Sequence, residues 1–315
     1  MMFKHKDKTD RFSGVNHTNF ESDTNRKDLR KSSSRSSLVQ RIFWRIAFLL
    51  ALMVFIAAFA ALGFIIYTYW DAQANYDKLA NAVVSEQELP RQDAEINNKE
   101  LAGITVNWKE LKATNPDIVA WMYVPDTVVN YPIVQTNNNS TYLTRTFEGG
   151  QGYATMFGTI TQYGTVFVNS YNKPNFEDDN DVIFGHHMYN GTMFGFIDEF
   201  MNNEKFNSHR TMYLLTPEKN YKLETFAVIH CIDSEPIAQT NFSDKQDKIK
   251  YIRNKLARNA VTPDPEVSVD EINKIFTFVT CDNRTDSGRL ALFATPVQVV
   301  TNDGSPVDLD DLSKE

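Results

Sequence analysis

A run of 25 residues without a charged side chain, from Ile46 to Trp70, constrains this chain more than any other feature. As an α-helix the run would extend roughly 37 Å at about 1.5 Å per residue, enough to cross a hydrocarbon core about 30 Å thick. Trp44 before the run and Tyr69 near its end are aromatic residues of the kind found at membrane interfaces. The sequence therefore predicts one transmembrane helix over residues 46–70.

The charges on either side of this run predict its orientation. Residues 1–45 hold eleven Lys and Arg against five Asp and Glu, whereas Asp71 is the first charged residue after the run. Because basic flanks stay in the cytoplasm, we expect a basic cytoplasmic tail over residues 1–45 and a domain outside the cell after residue 70. A cleaved signal peptide is the alternative, but its apolar region would be only about 7–15 residues long.

The chain after residue 70 is acidic, with 21 basic against 35 acidic residues. Such a surface repels phosphates, so a nucleic-acid partner is not expected. Residues 71–107 are polar and helix-prone as far as Pro90, which favours a juxtamembrane helix and spacer. The folded domain is expected over residues 108–300, followed by an acidic C-terminal tail over residues 301–315.

The apolar segments of this domain are rich in Val, Ile, Thr, Tyr and Phe, which favour strands. Turn signals such as Asn190-Gly191 and Ser287-Gly288 separate them. Eight strands are predicted, at 117–124, 127–134, 164–170, 181–185, 211–216, 221–232, 274–281 and 289–300. This density of strands indicates a mostly β architecture, a barrel or a sandwich, and we expect a β-barrel.

Two helices are predicted between the strands and are expected on the outside of the barrel. One follows residues 190–192 and carries Phe194 and Met201 on one face. The other begins at Ser243, a candidate N-cap, and continues as far as Asn259.

The two cysteines of the chain occupy different contexts. Cys281 ends an apolar strand and precedes a polar loop, where a rigid scaffold can present a reactive side chain to a cleft. Cys231 lies inside the strand 221–232 and is interpreted as a packed core residue, with a disulfide between the two as the alternative. Because nearby positive charge favours the reactive thiolate, Cys281 is a candidate nucleophile.

A thiol that attacks an amide needs a proton-transfer partner and a donor for the developing oxyanion. His186 and His187 both follow an apolar strand, and neighbouring side chains diverge, so at most one of them faces the cleft. The pattern does not choose between the two. Arg289 opens the strand after Cys281 and can return beside it in a hairpin, whereas Arg284 on the intervening loop is expected to be solvated.

These residues lie in segments that resemble the sortase family, class B. The sequence TFVTC at 277–281 with a downstream Arg is similar to the sortase signature T-L-x-T-C…R, with Phe278 in place of the usual Leu. The sequence IFGHHMYNGTMF at 183–194 resembles the class B segment in which a His follows a Gly. Residues 111–135 and the long helix before the cysteine strand are also similar to class B sortases, so the resemblance covers roughly residues 108–300.

The resemblance implies a sortase-like eight-stranded β-barrel and a catalytic site. It implies Cys281 as the nucleophile, His186 as the general acid and base, and Arg289 as the residue that stabilises the oxyanion or orients the substrate. Thr280 is a further candidate for substrate contact. No cofactor is implied, and the histidines and cysteines lack zinc-binding spacing. The segment 149–164 looks like an insertion that could reshape the cleft.

The implied function is that of a membrane-anchored, cysteine-type endopeptidase and transpeptidase at the surface of a Gram-positive cell. The thiolate would cleave an NPQTN-like sorting motif near the C-terminus of a secreted protein. An amine of a peptidoglycan precursor or of a pilin subunit would then resolve the thioester. The alternative is a non-catalytic, membrane-anchored β-barrel that binds components of the cell surface, in which Cys281 would be buried.

Overall fold

The computed structural model describes residues 23–85, 89–156, 159–234, 236–281 and 287–312. The chain forms two compact units, which divide between Ala60 and Ala61.

The predicted transmembrane segment lies within one long helix, α1 (Asp23–Val83). Among the described residues it is the one helix long and apolar enough to span a membrane. Most side chains of the apolar run are exposed, including Phe48 and Phe55, whereas Tyr76, Ala80 and Val83 near the end of the helix are buried. The helix is longer than the predicted 46–70 and continues through the polar, helix-prone residues after the run as far as Val83.

Eight strands form a closed barrel: β1 (Ile118–Tyr123), β2 (Asn130–Val134), β5 (Val166–Val168), β6 (Asn180–Phe184), β7 (Thr211–Leu215), β8 (Lys219–Ile232), β9 (Ile275–Cys281) and β10 (Gly288–Thr301). Their order around the barrel is β1-β2-β5-β6-β9-β10-β8-β7. Neighbours are antiparallel except for the pairs β2–β5 and β6–β9. The predicted mostly β barrel is confirmed, and each of its eight strands coincides with a predicted one.

A two-stranded hairpin outside the barrel was not predicted. Strands β3 (Tyr153–Met156) and β4 (Thr159–Gln162) pair with Tyr153 opposite Gln162. They lie in the segment 149–164, which the sequence analysis interprets as an insertion that could reshape the cleft.

Helices surround the barrel: α2 (Asn98–Gly103), α3 (Trp108–Thr114), α4 (Phe196–Glu199), α5 (Asn203–Ser208) and α6 (Lys245–Ala257). The helix predicted after residue 192 is the short α4, and a second helix, α5, begins separately after it. The reason is Asn202, whose side chain accepts hydrogen bonds from the amides of the second and third residues beyond it and so starts a new helix. Helix α6 starts one residue later than expected, because Asp244 rather than Ser243 accepts from the amide of Asp247.

The packed unit extends beyond residues 108–300 on both sides. Leu101 of α2 is fully buried, and the side chain of Asn220 on β8 donates to the carbonyls of Leu101 and Ile104. After β10, the amide of Val307 bonds to Val299, and Leu312 is buried. Parts of the predicted spacer and of the predicted C-terminal tail therefore pack against the barrel through single apolar residues such as Leu101 and Leu312.

Apolar side chains pack in two clusters, one on each face of the barrel wall. On β10, Leu290 and Leu292 belong to the cluster inside the barrel, whereas Ala291 and Phe293 belong to an outer cluster beneath α6. This alternation is the two-residue period of a strand. It fixes which side chains of β9 and β10 project outward, and these include Cys281 and Arg289.

Candidate active site

Three predicted site residues converge because of the register of three neighbouring strands. Phe184 on β6 is opposite Val279 on β9, and Cys281 on β9 is opposite Arg289 on β10. His186 lies two positions beyond Phe184, just as Cys281 lies two positions beyond Val279. Residues two apart point to the same face. All three side chains therefore project outward at the same end of the barrel.

These side chains line a cavity of about 350 Å³. Its walls combine His186, Thr280, Cys281 and Arg289 with mostly apolar residues; the remaining lining residues are Asn139, Leu143, Phe167, Phe184, Gly185 and Val279. The structure thus brings all four predicted site residues to one place. Asn139 and Leu143 were not predicted, since nothing in the sequence indicates that residues 139–143 reach the ends of β6 and β9.

Neither cysteine forms a disulfide bond, and of the two only Cys281 is exposed. Cys231 is buried in the outer cluster, as predicted. Both are register partners of Arg289, one on each neighbouring strand. They are therefore two strand spacings apart, roughly 9–10 Å, which exceeds the ~7 Å between Cα atoms that a disulfide can bridge. The alternative of a disulfide is excluded in this structure.

His186 is held by a hydrogen bond at the wall of the cavity. Its Nε2 lies 2.7 Å from the carbonyl oxygen of Leu143. A carbonyl oxygen only accepts, so Nε2 carries a proton. Burial lowers the pKa of His186, and the hydrogen bond to Leu143 opposes this. The neutral ring therefore has its proton on Nε2 and an unprotonated Nδ1 that can accept one.

His187 points elsewhere and does not line the cavity. Its Nδ1 lies 2.7 Å from the backbone carbonyl oxygen of Cys281, and its backbone pairs with Met193. The two histidines therefore diverge, as expected for neighbouring extended residues.

Close packing holds the segment that carries the two histidines. A Cβ atom on Gly185 would lie 2.7 Å from the ring of Phe194, and one on Gly195 would lie 2.3 Å from the carbonyl oxygen of Met188. The amide of Phe194 donates to the carbonyl of His186 at 2.9 Å. Both glycines therefore allow the chain to fold back on itself immediately after β6.

Arg289 is about one quarter exposed and has polar contacts next to the cavity. Its Nη1 donates to the carbonyl of Gly288 at 2.7 Å, and its Nη2 lies 3.9 Å from Oδ2 of Asp233. Sequence reasoning missed Asp233, although its position just after the strand 221–232 was an available signal. Arg284, which was expected to be solvated, lies outside the described residues.

Thr280 is buried, and its strand partner, Leu290, belongs to the cluster inside the barrel. Its Oγ1 has no hydrogen-bond partner among the described residues. The described residues also contain no group of three or more His, Cys, Asp or Glu that could hold a metal ion.

Two known proteins similar in sequence to this chain are both sortase B. No family model matches the sequence. Sortase B of Listeria monocytogenes is 27% identical over 186 residues, which cover 58% of this chain and 71% of that protein. Sortase B of Staphylococcus aureus is 23% identical over 211 residues, covering 67% and 78%.

Solved structures agree with these relatives. A crystal structure of sortase B from B. anthracis superposes with a TM-score of 0.58 at 26% identity, covering 74% of this chain and 99% of that one. The Clostridium perfringens sortase B structure has a TM-score of 0.52 at 29% identity, covering 60% and 99%. The sequence relatives, the solved structures and the closed barrel together support a class B sortase, a family of cysteine transpeptidases.

Proposed function

We propose that this sortase cleaves an NPQTN-like sorting motif of secreted proteins through a thioester on Cys281. It then transfers the acyl group to an amine of a peptidoglycan precursor or a pilin. The observation that carries the proposal is the convergence of Cys281, His186 and Arg289 on one cavity with apolar walls. An exposed thiol in such a cavity argues against the alternative of a non-catalytic binding module, in which Cys281 would be buried.

In the first half of the reaction, His186 takes the thiol proton on Nδ1, which is unprotonated in the neutral ring. The sulfur of Cys281 then forms a bond to the carbonyl carbon of the motif's Thr. The carbonyl electron pair moves onto its oxygen, where the guanidinium of Arg289 stabilises the negative charge. When the oxyanion collapses, the C–N bond breaks and His186 returns the proton to the leaving amine.

In the second half, an incoming amine attacks the thioester carbon and His186 takes its proton. Collapse of the second oxyanion forms the new amide, and the departing sulfur of Cys281 recovers the proton. Water is the competing nucleophile. The apolar side chains of Leu143, Phe167 and Phe184 around the cavity disfavour bound water and so favour transfer over hydrolysis.

The nature of the donor and the acceptor is supported by proteins similar in fold. One is a Staphylococcus aureus sortase B–substrate complex, and another is a sortase B complexed with triglycine. A glycine tripeptide has a free amine at its N-terminus. We extend both features to this chain: a peptide donor and an amine acceptor that enter the same cavity.

In this proposal the enzyme is anchored in the membrane. We place α1 across it, with residues 1–45 in the cytoplasm and the barrel outside. Secreted proteins and wall precursors both emerge at that outer face, so tethering the enzyme there raises the effective concentration of the reactants.

The test uses the full chain in detergent micelles with fluorogenic NPQTN and LPXTG peptides and triglycine as the acceptor. We expect the NPQTN peptide to be cleaved faster, with amide formation to triglycine. A Cys281→Ala variant should be inactive, whereas Cys231→Ala serves as the matched control and should retain activity. Mass spectrometry should detect an acyl-enzyme adduct on Cys281. If neither peptide is cleaved and Cys281 resists alkylation in the folded protein, the proposal is wrong and the binding module is favoured.

A further inference from the structure

The side chain of His187 contacts the backbone of the candidate nucleophile. Its Nδ1 lies 2.7 Å from the carbonyl oxygen of Cys281. Because a carbonyl oxygen only accepts hydrogen bonds, the proton of neutral His187 must be on Nδ1. The same reasoning puts the proton of His186 on Nε2. The two adjacent histidines therefore have opposite tautomers, each set by a backbone carbonyl.

This contact lies where backbone pairing between β6 and β9 ends. The last register pair is Phe184 with Val279, and the last backbone hydrogen bond joins the amide of Gly185 to the carbonyl of Val279 at 3.1 Å. Two residues further along β9, at Cys281, the donor to the backbone carbonyl is the side chain of His187 rather than a backbone amide of a neighbouring strand. It thereby connects Cys281 to the segment that carries His186.

His187 is itself held in place by its surroundings. Its backbone pairs with Met193, whose amide donates to the hydroxyl of Tyr131 at 3.2 Å. The ring of Tyr189 lies 6.2 Å from the His187 ring, centroid to centroid. A side chain fixed in this way can fix the carbonyl to which it donates.

We propose that His187 is a positioning residue: its hydrogen bond to the carbonyl of Cys281 holds the end of β9, and so the thiol, in register with His186. The catalytic part of this inference rests on the proposed function. His187 touches neither the thiol nor the substrate in this role, so it acts on the rate of the chemical step rather than on substrate binding.

The contact is tested independently of activity by NMR, since the chain has only two cysteines. Full chain labelled with ¹³C at the cysteine carbonyl gives two signals, and Cys231→Ala assigns them. His187→Leu should move the Cys281 signal upfield through loss of the hydrogen bond, and His187→Asn, which keeps a donor, should restore most of the shift. His209→Leu is the matched control, because His209 also has its Nδ1 near a backbone carbonyl but lies outside the cavity.

The catalytic role is tested by turnover of the sorting peptide. We expect His187→Leu to lower kcat about tenfold, the effect of about 1.4 kcal/mol, with KM changed less than about twofold. His187→Asn should recover most of the rate, and His209→Leu should match the wild type. An unmoved Cys281 signal in His187→Leu would refute the contact, and a moved signal with unchanged kcat would refute the positioning role. If the wild type cleaves no peptide, the proposed function fails, while the carbonyl signal still decides the contact.

Discussion

At the scale of single residues, the site depends on which ring nitrogen of each histidine carries a proton. His186 donates through Nε2 to Leu143, and burial lowers its pKa. A partly buried imidazole with an unprotonated Nδ1 is suited to accept a proton from a thiol at neutral pH. The backbone therefore sets both the tautomer and the charge of this side chain.

The lowered pKa of His186 predicts a pH-dependent stability. The unfolded chain binds a proton at His186 near pH 6.5, whereas the folded chain does so only at lower pH. This residue's contribution to stability is therefore full above about pH 6.5 and is lost as the pH falls below it. We expect the melting temperature of the wild type to fall relative to His186→Gln between pH 7.5 and pH 5. If the melting temperatures of the wild type and of His186→Gln change equally with pH, the lowered pKa of His186 is contradicted.

Removal of the contact between Arg289 and Asp233 should have only a small effect on stability and activity. The two side chains are 3.9 Å apart and Asp233 is more than half exposed, and such pairs contribute only about 0–1 kcal/mol. Asp233→Asn should therefore leave the melting temperature nearly unchanged and alter kcat/KM less than about threefold. Arg289→Gln, measured alongside, should lower kcat about 100-fold or more if it removes an oxyanion donor. A large loss of activity in Asp233→Asn would mean that the carboxylate holds Arg289 in place.

At the scale of elements, the strands were predictable and the short connections were not. The barrel strands carry runs of β-branched and aromatic residues, so composition and turn signals located them. Helices α4 and α5 each contain too few residues for a periodic pattern, and Asn202, which separates them, resembles any other polar residue in the sequence.

The candidate site was predictable only in part. Cys281, His186 and Arg289 each stand at the end or beginning of a predicted strand, and the family resemblance grouped them. The roles of Asn139, Leu143 and Asp233 depend on the strand order around the barrel. That order places β6 beside β9 although nearly one hundred residues separate them, and no local pattern specifies such a pairing.

Substitution of Gly185, in the turn after β6, by a residue only slightly larger should strongly lower the stability. Gly185→Ala would place a Cβ atom 2.7 Å from the ring of Phe194. Because Phe194 is fully buried, the clash should cost about 1–3 kcal/mol of stability and should lower activity by displacing His186. Gly63→Ala is the control, since a Cβ atom there meets nothing within 4 Å. Phe194→Leu added to Gly185→Ala should restore part of the stability. If Gly185→Ala and Gly63→Ala change the stability equally, the steric argument is refuted.

At the scale of the whole molecule, the parallel strands β6 and β9 carry different chemistry at their two ends. Their C-terminal ends lead to His186 and Cys281. Near their N-terminal ends, Nζ of Lys274 lies 2.6 Å from Oδ2 of Asp181, and both side chains are fully buried. Lys274 also donates to the carbonyl of Asp178. This ion pair therefore joins the two strands that position the site, at the end opposite to the cavity.

Loss of one partner of this pair should destabilise the protein without altering the chemistry. Lys274→Met leaves the Asp181 carboxylate buried without its cation, at a cost of about 3–5 kcal/mol. Lys173→Met is the control, because its pair with Glu177 is 3.9 Å long and exposed, and it should have little effect. The variant's kcat should match that of the wild type at temperatures where the barrel is folded, because the cavity is at the other end of the strands.

The stability of Lys274→Met should also depend on pH in a defined direction. Burial raises the pKa of Asp181 to about 6 even though Lys274 pulls it down. Removing Lys274 raises the pKa further, so the folded variant binds a proton that the unfolded chain releases above about pH 4. Stability therefore falls as the pH rises from about 4 through the folded pKa. We expect a higher melting temperature at pH 5 than at pH 7 for Lys274→Met, and no such preference once Asp181→Asn is added. If the double variant keeps the preference, a group other than Asp181 causes it.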